Sequence, residues 1–84
     1  MSRKILFALL LSLPLLAHAE ADAETKLATV EEALEDRDVL ARLTPLEAQE
    51  VRTLQMQAEQ HLASDNPRDA ERDLDRALET LGKD

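Results

Sequence analysis

The residues of this chain that could do chemistry lie around one histidine. His61 is the only histidine beyond position 18, and Asp65 follows it by four residues. A helix that continued through both would place them on one face. Two such groups make half of a metal site, since structural and catalytic zinc sites use three or four converging ligands. We therefore interpret His61 as a partly exposed residue near a helix C-terminus, where the helix dipole favours a cation.

Ser64 lies between His61 and Asp65, and together they supply the residue types of a hydrolytic triad. Such a triad works only where the three groups converge in a pocket shielded from water. A serine in a turn of a short helical chain has no such pocket, so we interpret Ser64 as a turn or capping residue. The chain also has no glycine-rich phosphate loop and no basic patch. We expect no catalysis and no cofactor.

An acidic run is the third candidate for chemistry, and it consists of Glu31, Glu32, Glu35, Asp36 and Asp38. Clustered carboxylates attract calcium, but a calcium-binding loop arranges its oxygens around a tight glycine turn. The only glycine of the chain is Gly82. The run is typical of a solvated helix face. A weak divalent-cation binder or buffer is kept as the alternative function.

The first nineteen residues have the three parts of a secretory signal. A positive start, Arg3-Lys4, precedes an apolar run over residues 5–16. Ala17 and Ala19 flank His18 in a small-x-small cleavage signature, and Glu20 follows. We expect cleavage after Ala19, which leaves residues 20–84 as one small acidic helical domain.

The apolar run is too short for a retained membrane anchor, because a spanning helix needs about 20 apolar residues. It also contains Pro14, which we expect to break the helix before the cleavage site. No cysteine follows the run, so lipid attachment at a cysteine is excluded. The short length is typical of a bacterial Sec signal. We therefore expect a periplasmic or secreted protein.

The composition of residues 20–84 restricts the possible partners. Arg3 and Lys4 would leave with the leader, so 8 basic and 18 acidic residues remain, a net charge of −10. This charge argues against binding nucleic acid or anionic lipid. The only aromatic residue, Phe7, leaves too, and deep ligand pockets depend on such large apolar walls. A chain this short is marginal alone, which favours association with another protein or with itself.

Composition and capping residues predict an all-α fold of three helices, at about 23–36, 45–63 and 67–81. Alanine, leucine, glutamate, arginine and glutamine dominate, and all favour helix. Thr44-Pro45-Leu46-Glu47 has the pattern of a capping box with proline at the first helical position. Asn66 before Pro67 predicts a second capped start, and Gly82 a helix stop.

A seam of small and large apolar residues predicts that the last two helices pack together. The residues are Leu54, Ala58 and Leu62 in the middle helix and Ala70, Leu74, Ala77, Leu78 and Leu81 in the last. Alanine lets two helices approach closely, and leucine fills the remaining space. The three-residue connection, 64–66, predicts an antiparallel hairpin. Met56 lies off the stripe, and we expect it to widen the apolar face toward the first helix.

The first predicted helix changes phase along its length. Leu27, Val30 and Leu34 form a stripe, whereas Val39, Leu40 and Leu43 would fall on the opposite side of a continuous helix. A continuous helix would expose apolar side chains to solvent on two opposite faces, which is unfavourable. We therefore expect a kink or turn at Asp36–Asp38, with residues 39–43 packing as a short segment beneath the start of the middle helix.

The hairpin resembles a single tetratricopeptide repeat. The segment NPRDAERDLDRALETL matches the second helix of that repeat, with Ala70, Leu74 and Ala77-Leu78-Glu79, and Ala58 and His61 match its first helix. Leu54 replaces the usual aromatic, Gln57 replaces a large apolar residue, and Asp65 and Gly82 replace the turn glycine and the closing proline. The resemblance covers residues 51–82.

What the resemblance implies is a protein-binding scaffold and no chemistry. We therefore expect an exported interaction module or accessory subunit, which binds another protein or itself through the seam or through its acidic face. The main reason to expect association is the small size of the chain. The apolar residues of the first helix and of the segment 39–43 exceed what a lone chain of this length is expected to cover.

Overall fold

The computed structural model describes residues 14–82, and their side chains from residue 19 onward. In this part of the chain the fold is all-α, as predicted, and no strand occurs. Four helices are present instead of three: α1 (Pro14–Glu35), α2 (Arg37–Arg42), α3 (Pro45–Ala63) and α4 (Pro67–Leu81). The positive start of the predicted leader and most of its apolar run lie outside the described residues.

The extra helix comes from the predicted break between the first and middle helices. Helix α1 ends at Glu35, and Asp36 takes an extended conformation (φ −88°, ψ 115°) as the N-cap of α2. Its carboxylate accepts a hydrogen bond from the Asp38 backbone N–H at 2.9 Å. The turn predicted at Asp36–Asp38 is thus confirmed, because an aspartate cap ends one helix and starts the next.

Helix α1 begins nine residues earlier than expected. Its first residue is Pro14, whereas the predicted start lay near residue 23. Proline is well tolerated in the first turn of a helix, where its missing N–H has no partner to lose. Pro14 therefore stands at a helix start, and the helix runs through Ala17, Ala19 and Glu20 instead of breaking before them.

The start of α3 has the predicted capping box. The Glu47 backbone N–H donates to Thr44 Oγ1 at 3.1 Å, and the Thr44 backbone N–H donates to Glu47 Oε1 at 2.9 Å. The second predicted start is confirmed in position, with Asn66 as the N-cap and Pro67 as the first residue of α4, but the Asn66 side chain makes no capping hydrogen bond. Asn66 contributes its backbone instead, and its carbonyl accepts from the Ala70 N–H at 3.1 Å.

The turn between α3 and α4 is a Schellman motif built around an aspartate. Asp65 has a left-handed φ of 59°, a conformation that glycine usually supplies and that asparagine and aspartate tolerate. The Asn66 N–H donates to the His61 carbonyl at 2.7 Å, and the Asp65 N–H donates to the Leu62 carbonyl at 3.2 Å. At the other end of α4, Gly82 is left-handed (φ 73°) as the predicted helix stop.

Helices α3 and α4 form the hairpin on which the rest of the fold packs. Among the described helices their mutual contact is the most extensive, and α1 packs mainly against α4 and less against α3. Val30, Val51 and Leu74 are the largest fully buried side chains, one from each long helix. The core therefore lies where the three long helices meet, and α2 adds Val39 at its edge.

Candidate interaction surface

The predicted seam is internal to the chain. Seven of its residues are buried, namely Leu54, Ala58, Ala70, Leu74, Ala77, Leu78 and Leu81, and the eighth, Leu62, is partly buried against them. Ala58, Ala70 and Ala77 are 0% exposed, as residues at a close helix–helix contact should be. The seam is therefore occupied by the fold itself and offers no surface to a partner.

Most of the large apolar residues over residues 23–43 pack against the core as well. Val30, Ala33 and Val39 are buried in the core, and Leu27, Leu34 and Leu43 pack against it. The break at Asp36 turns α2 so that Val39 faces the same core as α1, which covers much of the surface that was expected to exceed what a lone chain can bury.

Among the side chains that the structure describes, two large hydrophobic ones are left in solvent, and both belong to α3. Leu46 is 79% exposed and Met56 is 60% exposed. The prediction that Met56 extends the apolar face toward the first helix is therefore wrong. Val51, Leu54 and Ala58 mark the side of α3 that is buried, and at 100° per residue Met56 lies well away from that side.

These two residues belong to a regular surface that we name the α3 outer face. It consists of Leu46, Gln49, Thr53, Met56, Gln60 and Ala63, all of them exposed and all uncharged. Their spacing alternates between three and four residues, which averages 3.5 and places them in one line along the helix, as in a coiled-coil seam. The line extends over about five turns, or about 26 Å. It points away from the core.

Charged residues flank the α3 outer face on both sides. Arg52 and Glu59 lie along one edge, and Glu50 lies along the other together with the uncharged Gln57, all of them exposed. On the second edge, Arg76 of α4 joins Leu46, Glu50 and Gln57 in the lining of a shallow groove of about 440 Å³. Charges of both signs along the edges are a feature that this surface shares with helix-pairing surfaces, although those usually have apolar residues along the whole line.

The candidate metal ligand His61 is not brought to Asp65. Its Nε2 lies 3.4 Å from Asp73 Oδ2 of α4 instead. Ser64 is exposed at the C-cap of α3, with no enclosed pocket around it. Within residues 19–82, no group of three or more histidine, aspartate or glutamate side chains is arranged to hold a metal ion.

The acidic run is spread over the end of α1 and the start of α2. Glu31, Glu32, Glu35, Asp36 and Asp38 are all exposed. The Asp36 carboxylate is engaged with the backbone as the cap of α2. The run is therefore a solvated surface in this fold, and one of its members has a structural role.

One cluster of charges joins α1 to α4. Lys26 Nζ lies 2.8 Å from Asp75 Oδ1 and donates to Glu71 Oε1 at 3.0 Å. The contact with the Asp75 carboxylate, assisted by Glu71, raises the pKa of Lys26 above its usual value against the opposing effect of partial burial. The cluster links α1 to α4, and none of its residues lies on the α3 outer face.

The α3 outer face was not predicted, although its signal is present in the sequence. Met56 was recognised as lying off the buried stripe, but its regular spacing with Leu46, Gln49, Thr53, Gln60 and Ala63 was not. In a chain in which 33% of residues are charged, a line of six uncharged positions on one helix face is the pattern that identifies it.

Comparison with known proteins finds no match for this chain among protein families, curated proteins or solved structures. Within the part of the chain that the structure describes, no helix is both long enough and apolar enough to cross a membrane.

Proposed function

We propose that this chain is an exported protein-interaction module without catalysis, and that it binds its partner through the α3 outer face. The observation that supports this most is the contrast in burial. The predicted seam is covered and most large apolar residues of residues 23–43 pack against the core, whereas the two most exposed large hydrophobic residues among the described side chains, Leu46 and Met56, lie on one uncharged line of α3. Exposed apolar residues that are grouped and rimmed by polar ones are typical of binding sites.

The proposed fold relationship is to a single tetratricopeptide-like hairpin. The full burial of Ala58, Ala70 and Ala77 supports it, because the family uses small residues at the contact of its two helices. One repeat buries little on its own. In this chain α1 packs against the hairpin and adds Ala23, Val30 and Ala33 to the core, which is how a lone repeat would gain the packing that neighbouring repeats normally supply.

Export is proposed from the leader pattern, and the position of the core is compatible with it. Among the described side chains, every buried residue lies at Ala23 or later, while Glu20, Ala21 and Asp22 are exposed. Cleavage after Ala19 would shorten α1 without removing a known core residue. N-terminal sequencing of the protein from the cells that produce it should begin at Glu20. Protein that accumulates with its original methionine would contradict export by this route.

The interaction is tested by photo-crosslinking in the cells that produce the protein. A photoreactive amino acid at Thr53 lies in the middle of the α3 outer face, and the same amino acid at the exposed Ala28 of α1 is the matched control. Irradiation should give a discrete adduct of higher mass from position 53 and none from position 28. Equal labelling at the two positions, or none at either, would contradict an interaction through this face.

A further inference from the structure

The α3 outer face has a feature that selects among partners, namely the order of charges along its edges. In coiled-coil notation Leu46, Thr53 and Gln60 occupy a positions, and Gln49, Met56 and Ala63 occupy d positions. One edge then carries Arg52 and Glu59 at successive g positions, separated by two helical turns. Neither residue forms an ion pair within the described part of the chain.

We infer that the partner is a second copy of this chain, whose α3 packs antiparallel to the first about a two-fold axis at the level between residues 54 and 55. This inference rests on the proposed function and names its partner. In an antiparallel pair an a position of one helix packs beside a d position of the other. This register brings Leu46 against Ala63, Gln49 against Gln60, and Thr53 against Met56 of the second copy, each contact occurring twice by symmetry.

The same register satisfies the charges on the first edge. Antiparallel coiled helices bring g positions of one copy beside g positions of the other, so Arg52 meets Glu59 of the second copy, and Glu59 meets its Arg52. Parallel packing would set Arg52 beside Gln57 and leave both charges without opposite partners. The charge order therefore favours the antiparallel arrangement.

The second edge has fewer charges. Glu50 of one copy approaches the uncharged Gln57 of the other, and Arg76 of α4 lines the same groove as both residues. This edge therefore carries one acid and one base and brings no like charges together at the Glu50–Gln57 contact, although the chain as a whole has a net charge of −8. A basic partner would be attracted to the acidic surfaces elsewhere. The α3 outer face, which is uncharged with balanced edges, fits its own copy.

Glutamine and threonine at the centre of the face limit the affinity and set the register. Polar residues at a and d positions lower the stability of a helix pair. They are best tolerated in the register that places them opposite other polar residues, as Gln49 and Gln60 are here. The dimer is therefore expected to dissociate on dilution, and the Gln49–Gln60 contact disfavours registers that would place either amide against Leu46 or Met56.

The test reverses the charges of Arg52 and Glu59 one at a time. It uses the protein as it is purified from the cells that produce it. Sedimentation velocity of the unaltered protein should show a reversible increase toward twice the monomer mass as its concentration rises. Arg52→Glu alone and Glu59→Arg alone should each raise the dissociation constant by about tenfold or more, because each places like charges at both symmetry-related contacts. Arg37→Glu and Glu24→Arg, at exposed positions outside the α3 outer face, are the matched controls and should change it little.

Mixing the two reversed variants is the decisive measurement. One then carries two acids and the other two bases along the edge, so an equimolar mixture should associate more tightly than either variant alone. This result also shows that both variants are folded. A protein that stays monomeric at the highest concentration reached, or a mixture no tighter than its components, would overturn the inference.

Crosslinking at Thr53 separates this inference from the proposed function. An adduct of twice the chain mass supports the second copy. An adduct with a different protein, together with monomeric sedimentation, overturns the inference and leaves the interaction module standing. The absence of any adduct together with monomeric sedimentation overturns both.

Discussion

His61 Nε2 lies 3.4 Å from Asp73 Oδ2 across the contact between α3 and α4. The distance is that of an ion pair, yet this carboxylate oxygen is buried and accepts no hydrogen bond within the described residues. A buried polar atom without a hydrogen bond costs about 1–3 kcal/mol. The contact joins the hairpin helices but leaves a polar oxygen incompletely satisfied.

We predict that Asp73→Ala raises the free energy of unfolding by about 1 kcal/mol, because it removes this oxygen and adds a better helix former. Urea unfolding followed by far-UV circular dichroism measures the change. Asp69→Ala is the control. It makes the same substitution in the first turn of α4, where it removes a favourable interaction with the helix dipole, so it should lower the free energy of unfolding. A loss of stability on Asp73→Ala would mean that the carboxylate is better satisfied than this geometry indicates.

Removing the Lys26 cation should loosen α1 from the hairpin. Lys26→Met keeps most of the aliphatic stem and removes the contacts with Glu71 and Asp75. Because the Asp75 side chain is 57% exposed, we expect a loss of no more than about 1 kcal/mol at neutral pH. The same measurement on Arg68→Met, at an exposed position of α4, should show almost no change.

The Lys26 contribution should also depend on pH. Since the folded-state pKa is raised above the usual value of 10.5, the stabilisation is fully present below that value and is lost as the pH rises through the folded-state pKa. The difference in unfolding free energy between the unaltered protein and Lys26→Met should therefore shrink under strongly alkaline conditions. A difference that stays constant there would show that the ammonium charge is not responsible.

The two helix starts of the hairpin should respond differently to alanine. Thr44→Ala removes an observed capping box and should cost about 1 kcal/mol. Asn66→Ala should cost distinctly less, because the Asn66 side chain makes no capping hydrogen bond. Thermal unfolding of the two variants under the same conditions makes the comparison. Equal losses would contradict the difference between the two caps.

Enlarging a seam alanine should be far more harmful than enlarging an exposed one. Ala58 is 0% exposed at the contact between the long helices, and Ala58→Leu should cost about 1–3 kcal/mol through overpacking. Ala28→Leu makes the same chemical change on the exposed side of α1 and should be nearly neutral. Urea midpoints report both. A tolerated Ala58→Leu would mean that the helices separate easily at this point.

A chain that begins at Glu20 should keep the stability of the folded part. The described core starts at Ala23, so the truncated chain retains every buried residue known from the structure. We expect its free energy of unfolding to match that of the full chain within about 0.5 kcal/mol, the usual range for changes away from the core. A clearly lower value would show that residues before Glu20 contribute packing, which would weigh against their removal in the mature protein.

Local features were predictable from the sequence wherever neighbouring residues alone decide the structure. The capping box of Thr44 and Glu47 and the end of α4 at Gly82 follow from hydrogen bonds over three or four residues. The break at Asp36 follows from the change of hydrophobic phase between Leu34 and Val39. The Asn66 side chain was the exception, because the Schellman turn around Asp65 holds this residue by its backbone.

Partners that are distant in the sequence were not predictable. Lys26 contacts residues 45 and 49 positions further along the chain, and His61 contacts Asp73 and not Asp65, which follows it by four residues. Helical periodicity places each side chain on a face of its own helix, but it does not say which face of another helix lies opposite. Met56 was assigned to the wrong side for this reason.

By itself, the sequence determined the helical class, the positions of most helix ends and the small and large residues that fill the hairpin seam, because each depends on backbone hydrogen bonds and side-chain volume along one segment. Only the tertiary structure decided that the seam is buried within the fold and that most large apolar residues of residues 23–43 pack against the same core. Among the described side chains, it leaves the uncharged line on α3 exposed, because the packing of three helices against one another determines which side of each is covered.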